Sequence, residues 1–240
     1  MCSRTRKVKY FMFITTTENH KILDFKLFKV KFKNKHCKNS SVKNYGKNNT
    51  IKNKESYLSG LQIHFYGNNN KVIIEKGSTF SNFTFNFGLF NHPVNNCEIF
   101  IGKNCYLNWG NIDILTDNCV VKIKENTSIQ NLYARLPHKK SSITIEKNSM
   151  LSWGVQIIPH DGHDIINLND EKTINDCEYQ IKIGEHCWIG SDVKLIHSAT
   201  IPKNSIVGAN SLVNKEFNIE NAIYAGVPAK LIRNNITWKE

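Results

Sequence analysis

The chain has 240 residues, 40% of them hydrophobic and 22% charged, with a formal net charge of +12. That is enough for one domain or two small ones, and no stretch approaches the ~20 apolar residues of a membrane span. Seven cysteines without a Cys-x-x-Cys pair exclude a zinc ribbon, argue against a disulfide framework and point to a reducing, cytoplasmic setting.

The N-terminal quarter carries the charge. Residues 1–60 hold 15 of the 32 Lys and Arg but 3 of the 20 Asp and Glu, so the rest of the chain is balanced. The basic start, Met1 to Lys7, is followed by an apolar run (Tyr10–Ile14) too short for a secretory leader. Lysine alternates with asparagine at Lys43-Asn, Lys47-Asn-Asn and Lys52-Asn-Lys. No nucleic-acid-binding pattern accompanies the arm, so no nucleic-acid partner is expected. The arm is a candidate for peripheral contact with an anionic membrane surface or glycan, which would put the protein at the inner membrane. Residues 1–59 are read as a basic cap, in which Asp24–Phe32 partly alternates like a strand.

From about residue 60 a repeating unit sets in. Ile74-Glu-Lys-Gly-Ser-Thr is followed by Phe80, Ile101-Gly-Lys-Asn-Cys-Tyr by Leu107, Ile123-Lys-Glu-Asn-Thr-Ser by Ile129, and Ile145-Glu-Lys-Asn-Ser-Met by Leu151. The units from Ile101 to Ile145 recur every 22 residues. Downstream the period tightens: Ile183, Ile189, Leu195, Ile201, Val207 and Val213 are spaced by six. Cys187, Val193, Ala199, Ser205 and Ser211 follow four residues behind. A period of six drifts around a helix and does not fit the two-residue period of a flat strand. It fits a three-sided solenoid, in which each hexapeptide is a short strand plus a corner and the aliphatic points inward. The expected architecture is all-β: a parallel β-helix over residues 60–217, with a C-terminal turn and cap over 218–240.

The period breaks once on a large scale, between Ile157 and Ile183. Residues 161–180 are polar and aperiodic and should loop out, carrying His160-Asp-Gly-His163 at the root. Histidine suits proton abstraction near neutral pH. Two Trp-Gly pairs, Trp109-Gly110 and Trp153-Gly154, occupy equivalent places 44 residues apart. Such indoles suit either stacking on a sugar face or sealing a corner.

Three segments together resemble the hexapeptide-repeat (left-handed β-helix) acyltransferases. They are Ile183-Gly-Glu-His-Cys-Trp-Ile-Gly-Ser-Asp-Val193, Ile206-Val-Gly-Ala-Asn-Ser-Leu-Val213 and Tyr224-Ala-Gly-Val-Pro-Ala-Lys-Leu-Ile-Arg233. The likeness is to the branch holding galactoside and maltose acetyltransferases and the O-acetyltransferases of capsular polysaccharide and lipopolysaccharide. Met150 to Ile165 is similar to the stretch holding the catalytic histidine of the polysaccharide enzymes. The resemblance implies a left-handed solenoid, a homotrimer with active sites between subunits, acetyl-CoA as donor, a carbohydrate acceptor and no metal.

Residue by residue, the resemblance makes His163 the catalytic base, with His160 as second candidate. Asp161, Asp164 or a main-chain carbonyl would orient the imidazole. Trp188 matches the family tryptophan beside the pantetheine arm. Gly208-Ala209-Asn210 matches a Gly-Ala-Gly step whose main chain approaches CoA, with asparagine in the last place. Lys215 matches a lysine facing the phosphates, Pro228-Ala229 the turn under adenine, and Lys230 and Arg233 cations near the 3′-phosphate. Trp153, Asp161 and Trp109 are candidates for acceptor binding. Cys187 reads as a buried corner thiol. The expected activity is acetyl transfer to a sugar hydroxyl of a surface polysaccharide or its precursor. Alternatives are an N-acetyltransferase of an amino-sugar nucleotide and a zinc enzyme of the γ-carbonic anhydrase type using His160, His163, His186 and His197.

Overall fold

A computed structural model describes residues 37–175 and 179–239. Within them the chain forms short strands and no helix, so no described helix is long and apolar enough to cross a membrane. Strand ladders between successive coils run parallel; only the C-terminal hairpin, Ile223–Gly226 with Ala229–Arg233, is antiparallel.

The ladders build three faces. The first stacks Thr50–Asn53, Lys71–Ile74, Glu98–Ile101, Val120–Ile123, Ser142–Ile145, Gln180–Ile183 and Thr200–Ile201. The second runs from Cys37–Lys38 through Tyr57–Ser59 and Thr79–Ser81, then Met150–Leu151, Trp188–Ile189 and Ile206–Val207, to Ile223–Gly226. The third holds Ser41–Asn44, Gln62–Phe65, Phe83–Phe87, Val155–Ile158, Lys194–Ile196 and Leu212–Val213. Two longer strands, Tyr106–Ile114 and Ser128–Leu136, bend around the corner and serve both the second and third faces.

The periodic aliphatics line the inside in register. Ile101, Ile123, Ile145, Ile183 and Ile201 stand opposite one another on the first face, and all are fully buried. The 22-residue units and the six-residue units are thus coils of one solenoid. Nearly all of the difference in their lengths falls at one edge; the corner from second face to third varies by one residue, five from Ile129 to Ala134 and six from Ile189 to Leu195. From first face to second, Ile123 to Ile129 and Ile201 to Val207 both take six residues. From third face to first, Leu195 to Ile201 takes six, Ala134 to Ile145 eleven, Phe85 to Ile101 sixteen and Ile157 to Ile183 twenty-six. The extra chain leaves the prism along the edge between the third and first faces.

The corner between the first and second faces repeats the same chemistry at every level. Asn104, Asn126, Asn148, His186, Asn204 and Asn221 each hold a positive φ between 53° and 58°. Asparagine tolerates this left-handed turn better than most residues. Its amide also reaches the next coil: Asn126 Nδ2 donates to Asn148 Oδ1 at 3.0 Å. Just behind, a small polar side chain points inward and donates to a carbonyl of the following coil. Ser78 reaches Gly102 (2.7 Å), Cys105 Lys124 (3.0 Å), Ser149 Gly184 (3.0 Å) and Cys187 Pro202 (3.1 Å). Corner carbonyls buried by stacking are thereby satisfied, which matters because an unpaired buried polar group costs about 1–3 kcal/mol.

The ladders reach back to Cys37, upstream of the start near residue 60 read from the sequence. Val42 is buried and Ile51 partly buried in this first coil, and its other positions are largely lysine, asparagine and serine, which hides the repeat. The alternating segment Asp24–Phe32 lies outside the described residues. At the other end Phe217 stacks on Tyr224 (centroids 3.9 Å apart) and closes the core. The tail then turns back along the first corner, with Ile236 N donating to Asn221 O at 2.9 Å and Trp238 Nε1 to His186 O at 2.9 Å.

The corner account predicts an asymmetry at Asn126. Asn126→Ala should lower stability by about 1–2 kcal/mol, the cost of a left-handed alanine. Asn126→Gly should lose less, because glycine adopts the turn freely. Urea unfolding midpoints of the two variants measure the difference.

Candidate active site

The excursion is rooted by a closed hydrogen-bond knot. His160 is 2% exposed and Asn175 is 5% exposed. Gly162 N donates to His160 Nδ1 at 2.8 Å, so that nitrogen is bare. The proton therefore sits on Nε2, which donates to Asn175 O at 3.0 Å. The Asn175 side chain returns into the loop: its Oδ1 accepts from Ile165 N and its Nδ2 donates to His163 O, both at 2.8 Å. The His160 ring stacks on His138 at 4.3 Å and tilts against Tyr179 at 5.2 Å.

This arrangement separates the two histidines of the motif. The sequence offers His160 as a second candidate base, but both its nitrogens are taken up by main-chain groups. It has no lone pair to accept a substrate proton, and it anchors the loop instead. His163 is exposed, and the knot holds its main chain rather than its ring. Asp161, one candidate partner for that ring, is engaged elsewhere, with Oδ1 3.1 Å from His197 Nε2. Asp164 is exposed on the loop. Sequence reasoning missed Asn175 and offered His197 only as a zinc ligand of the alternative reading. Asn175 lies in the aperiodic segment, where no pattern marks it. His197 holds φ +56° at the same edge of the following coil, a corner position that the repeat could have flagged.

Trp188 lies on the second face, 37% exposed, its Nε1 3.3 Å from Ser152 Oγ. Trp238, another residue the sequence did not single out, is buried beside it. The two indole centroids are 6.2 Å apart, and Trp238 stacks on His186 at 4.5 Å. Along the ladder Trp188 is followed by Ile206, Ile223 and Arg233 in successive rungs. Arg233 and Lys230 are exposed on the edge strand of the C-terminal hairpin. Pro228 is exposed at its turn, preceded by a cis peptide bond, and Ala229 is buried against Gly226. At the corner of the second and third faces, Asn210 takes φ +55°, so asparagine makes the turn that a third glycine would make. Ala209 is exposed in that turn. A Cβ on Gly208 would stand 2.9 Å from Ala225 Cβ, so glycine is required for the hairpin to close on this coil. Lys215 Nζ sits 5.6 Å above the Phe217 ring.

The remaining candidates divide clearly. Cys187 is fully buried, and burial pushes its thiol up to about 12, far from the thiolate a nucleophile needs. Trp109 and Trp153 are 50% and 53% exposed. His186 lies at the corner of the first and second faces, whereas His160 and His197 lie at the opposite end of the first face. Among the described residues no three His, Cys, Asp or Glu side chains gather as a metal site. On a three-sided prism, the edge from which the His163 loop departs lies across from the second face, which carries Trp188. Within one copy the two root on opposite sides.

The comparisons agree with this architecture. Residues 180–215 match the family model described as bacterial transferase hexapeptide (six repeats). A polysialic acid O-acetyltransferase of Neisseria meningitidis is 32% identical over 194 residues, covering 80% of this chain and 86% of the relative. An uncharacterized 24.8 kDa protein in the cps region of Klebsiella pneumoniae is 39% identical over 99 residues, 41% of this chain and 43% of that protein. Among solved structures, the polysialic acid O-acetyltransferase OatWY superposes with a TM-score of 0.76 at 29% identity, over 81% of this chain and 89% of that one. With these relatives, the all-parallel three-sided solenoid and the Trp188 and hairpin motifs in place, the chain belongs to the hexapeptide-repeat, left-handed β-helix acyltransferases and is an acetyltransferase.

Proposed function

We propose that the protein is an acetyl-CoA-dependent O-acetyltransferase that modifies a sugar hydroxyl of a surface polysaccharide or its precursor, with His163 as general base. One observation carries the donor assignment: the outward row Trp188, Ile206, Ile223 and Arg233. Three rungs at ~4.8 Å make an apolar strip of ~14 Å. That strip suits an extended pantetheine arm and ends at the cations Arg233 and Lys230, which suit its phosphates. The thioester end then falls beside Trp188. The acceptor class follows the relatives, whose names specify polysialic acid and galactosides.

The chemistry needs one base. The neutral imidazole of His163 takes the proton of the acceptor hydroxyl as its oxygen attacks the thioester carbonyl. A tetrahedral oxyanion forms, stabilised by a main-chain N–H. Collapse expels the CoA thiolate, which takes the proton from the imidazolium. No acyl-enzyme intervenes, in keeping with the buried, protonated thiol of Cys187. Because the His163 loop and Trp188 root on opposite sides of one copy, a working site combines the loop of one subunit with the second face of the next. Repeating that head-to-tail contact around an axis closes a ring, and a homotrimer is the assembly proposed. The protein acts in the cytoplasm. The basic arm proposed to touch an anionic surface lies largely outside the described residues.

His163→Ala should lower kcat by 10²–10⁴-fold, the usual worth of a general base, while calorimetry shows acetyl-CoA binding retained. Cys187→Ala should stay active. His160→Ala should lower kcat through loss of the knot, and it should raise protease cleavage within 161–175, a readout that His163→Ala leaves unmoved. Co-expression of His163→Ala with Trp188→Ala subunits tests the shared site. Mixed assemblies should recover activity that neither parent shows, whereas a site within one copy would leave the mixture dead.

A further inference from the structure

We infer that the second face carries an extended glycan-binding track, reaching from Trp188 toward the N-terminal coils, and that the acceptor is bound as a chain of several sugars rather than as one. The inference deepens the acceptor assignment proposed above and rests on it for the sugar class. Trp109 and Trp153 lie at the corner of the second and third faces, half exposed and two coils apart. Each presents a large flat apolar surface to solvent. The coil between them carries Asn131, paired in register with Trp109. Its side chain is fixed by both neighbours: Nδ2 donates to Trp109 O at 3.4 Å and Oδ1 accepts from Gly154 N at 3.2 Å.

Beside the indoles runs a polar row one residue away. Asn108 Nδ2 donates to Gln130 Oε1 at 3.4 Å, and Ser152 Oγ in the next rung takes the Trp188 indole N–H. The patch thus alternates flat apolar plates with amides and hydroxyls. A second copy of this chain would favour a continuous apolar surface. A pyranose offers an apolar C–H face and a rim of hydroxyls, which matches both rows. Two coil steps separate the indoles by ~10 Å, so they meet sugars with one residue between them. The track points at Trp188, where the thioester is proposed to end, so a chain stacked on both indoles delivers a further sugar to the acetyl group.

The test uses the full chain and its Trp109→Ala, Trp153→Ala, double and Trp153→Phe variants. Binding is read by retardation in gels containing polysialic acid or dextran, without acetyl-CoA, so the readout does not depend on transfer. KM is then measured for long polysialic acid, for a short oligomer and for acetyl-CoA. Each alanine should weaken long-chain binding and raise long-chain KM about tenfold, which is about 1.4 kcal/mol. The double variant should lose more, Trp153→Phe should recover part, and KM for acetyl-CoA should hold. Unchanged long-chain binding in the double variant would overturn the track, as would absence of retardation of the wild type by either polymer. Dissociation of the assembly in sedimentation would also overturn it, by making the indoles a subunit contact. Retardation through the indoles without acetyl transfer would leave the track standing and remove the proposed activity.

Discussion

Register between successive coils is the constraint on which the rest of the molecule depends. A parallel ladder forms only if each turn of the chain returns to the height and phase of the one before. A one-residue slip would turn every inward aliphatic outward. Two corners enforce the phase at a residue count that is constant to within one. At the corner of the first and second faces, a left-handed asparagine or histidine sets the bend, and a small inward hydroxyl or thiol ties it to the next coil. The interior is then a stack of isoleucines, leucines, valines and phenylalanines buried to completion. Because each coil touches only its neighbours, stability accumulates coil by coil.

The third corner is freed by the strictness of the other two. With phase already set, chain can be added there without disturbing the ladders, and the structure does so by differing amounts in different coils. The longest addition bears His163. His160 and Asn175 make its root a rigid knot with every buried polar atom of the two side chains engaged. Trp188 sits on the opposite face, on a two-residue strand held by the ladders and flanked by the buried Trp238. The root of the His163 loop and Trp188 are thus each held by local networks, on opposite sides of one copy.

How much of this was legible in the sequence varies with the physics behind each part. The coils from Ile74 onward were readable because burial forces an aliphatic at every sixth position, and nothing else in a protein imposes that period. The first coil was not, because Val42 and Ile51 are too few to carry a rhythm among lysines and asparagines. The asparagines among those lysines show no period in the sequence, yet Asn39, Asn48 and many after them occupy left-handed turns. The excursion was visible as a gap between Ile157 and Ile183, but what fixes it was not. Asn175 sits twelve residues from the carbonyl it holds, in a stretch without pattern. Trp238 acts across 52 residues, a contact made only by the tail's return along a corner. The motif ranked His163 ahead of His160 by resemblance, and hydrogen-bond saturation of the His160 ring separates the two physically.

A stack of strands carries a hazard at its terminal rung, where the pattern that joins coil to coil could equally join molecule to molecule. The first coil among the described residues exposes Lys43, Lys47 and Lys52 along its strands and turns. Two such rungs meeting end to end would bring lysine against lysine, and charge of this kind is how exposed sheet edges are kept from pairing. Lysines so placed disfavour strand-to-strand pairing at any rung left uncovered, a use of this coil's charge that requires no ligand.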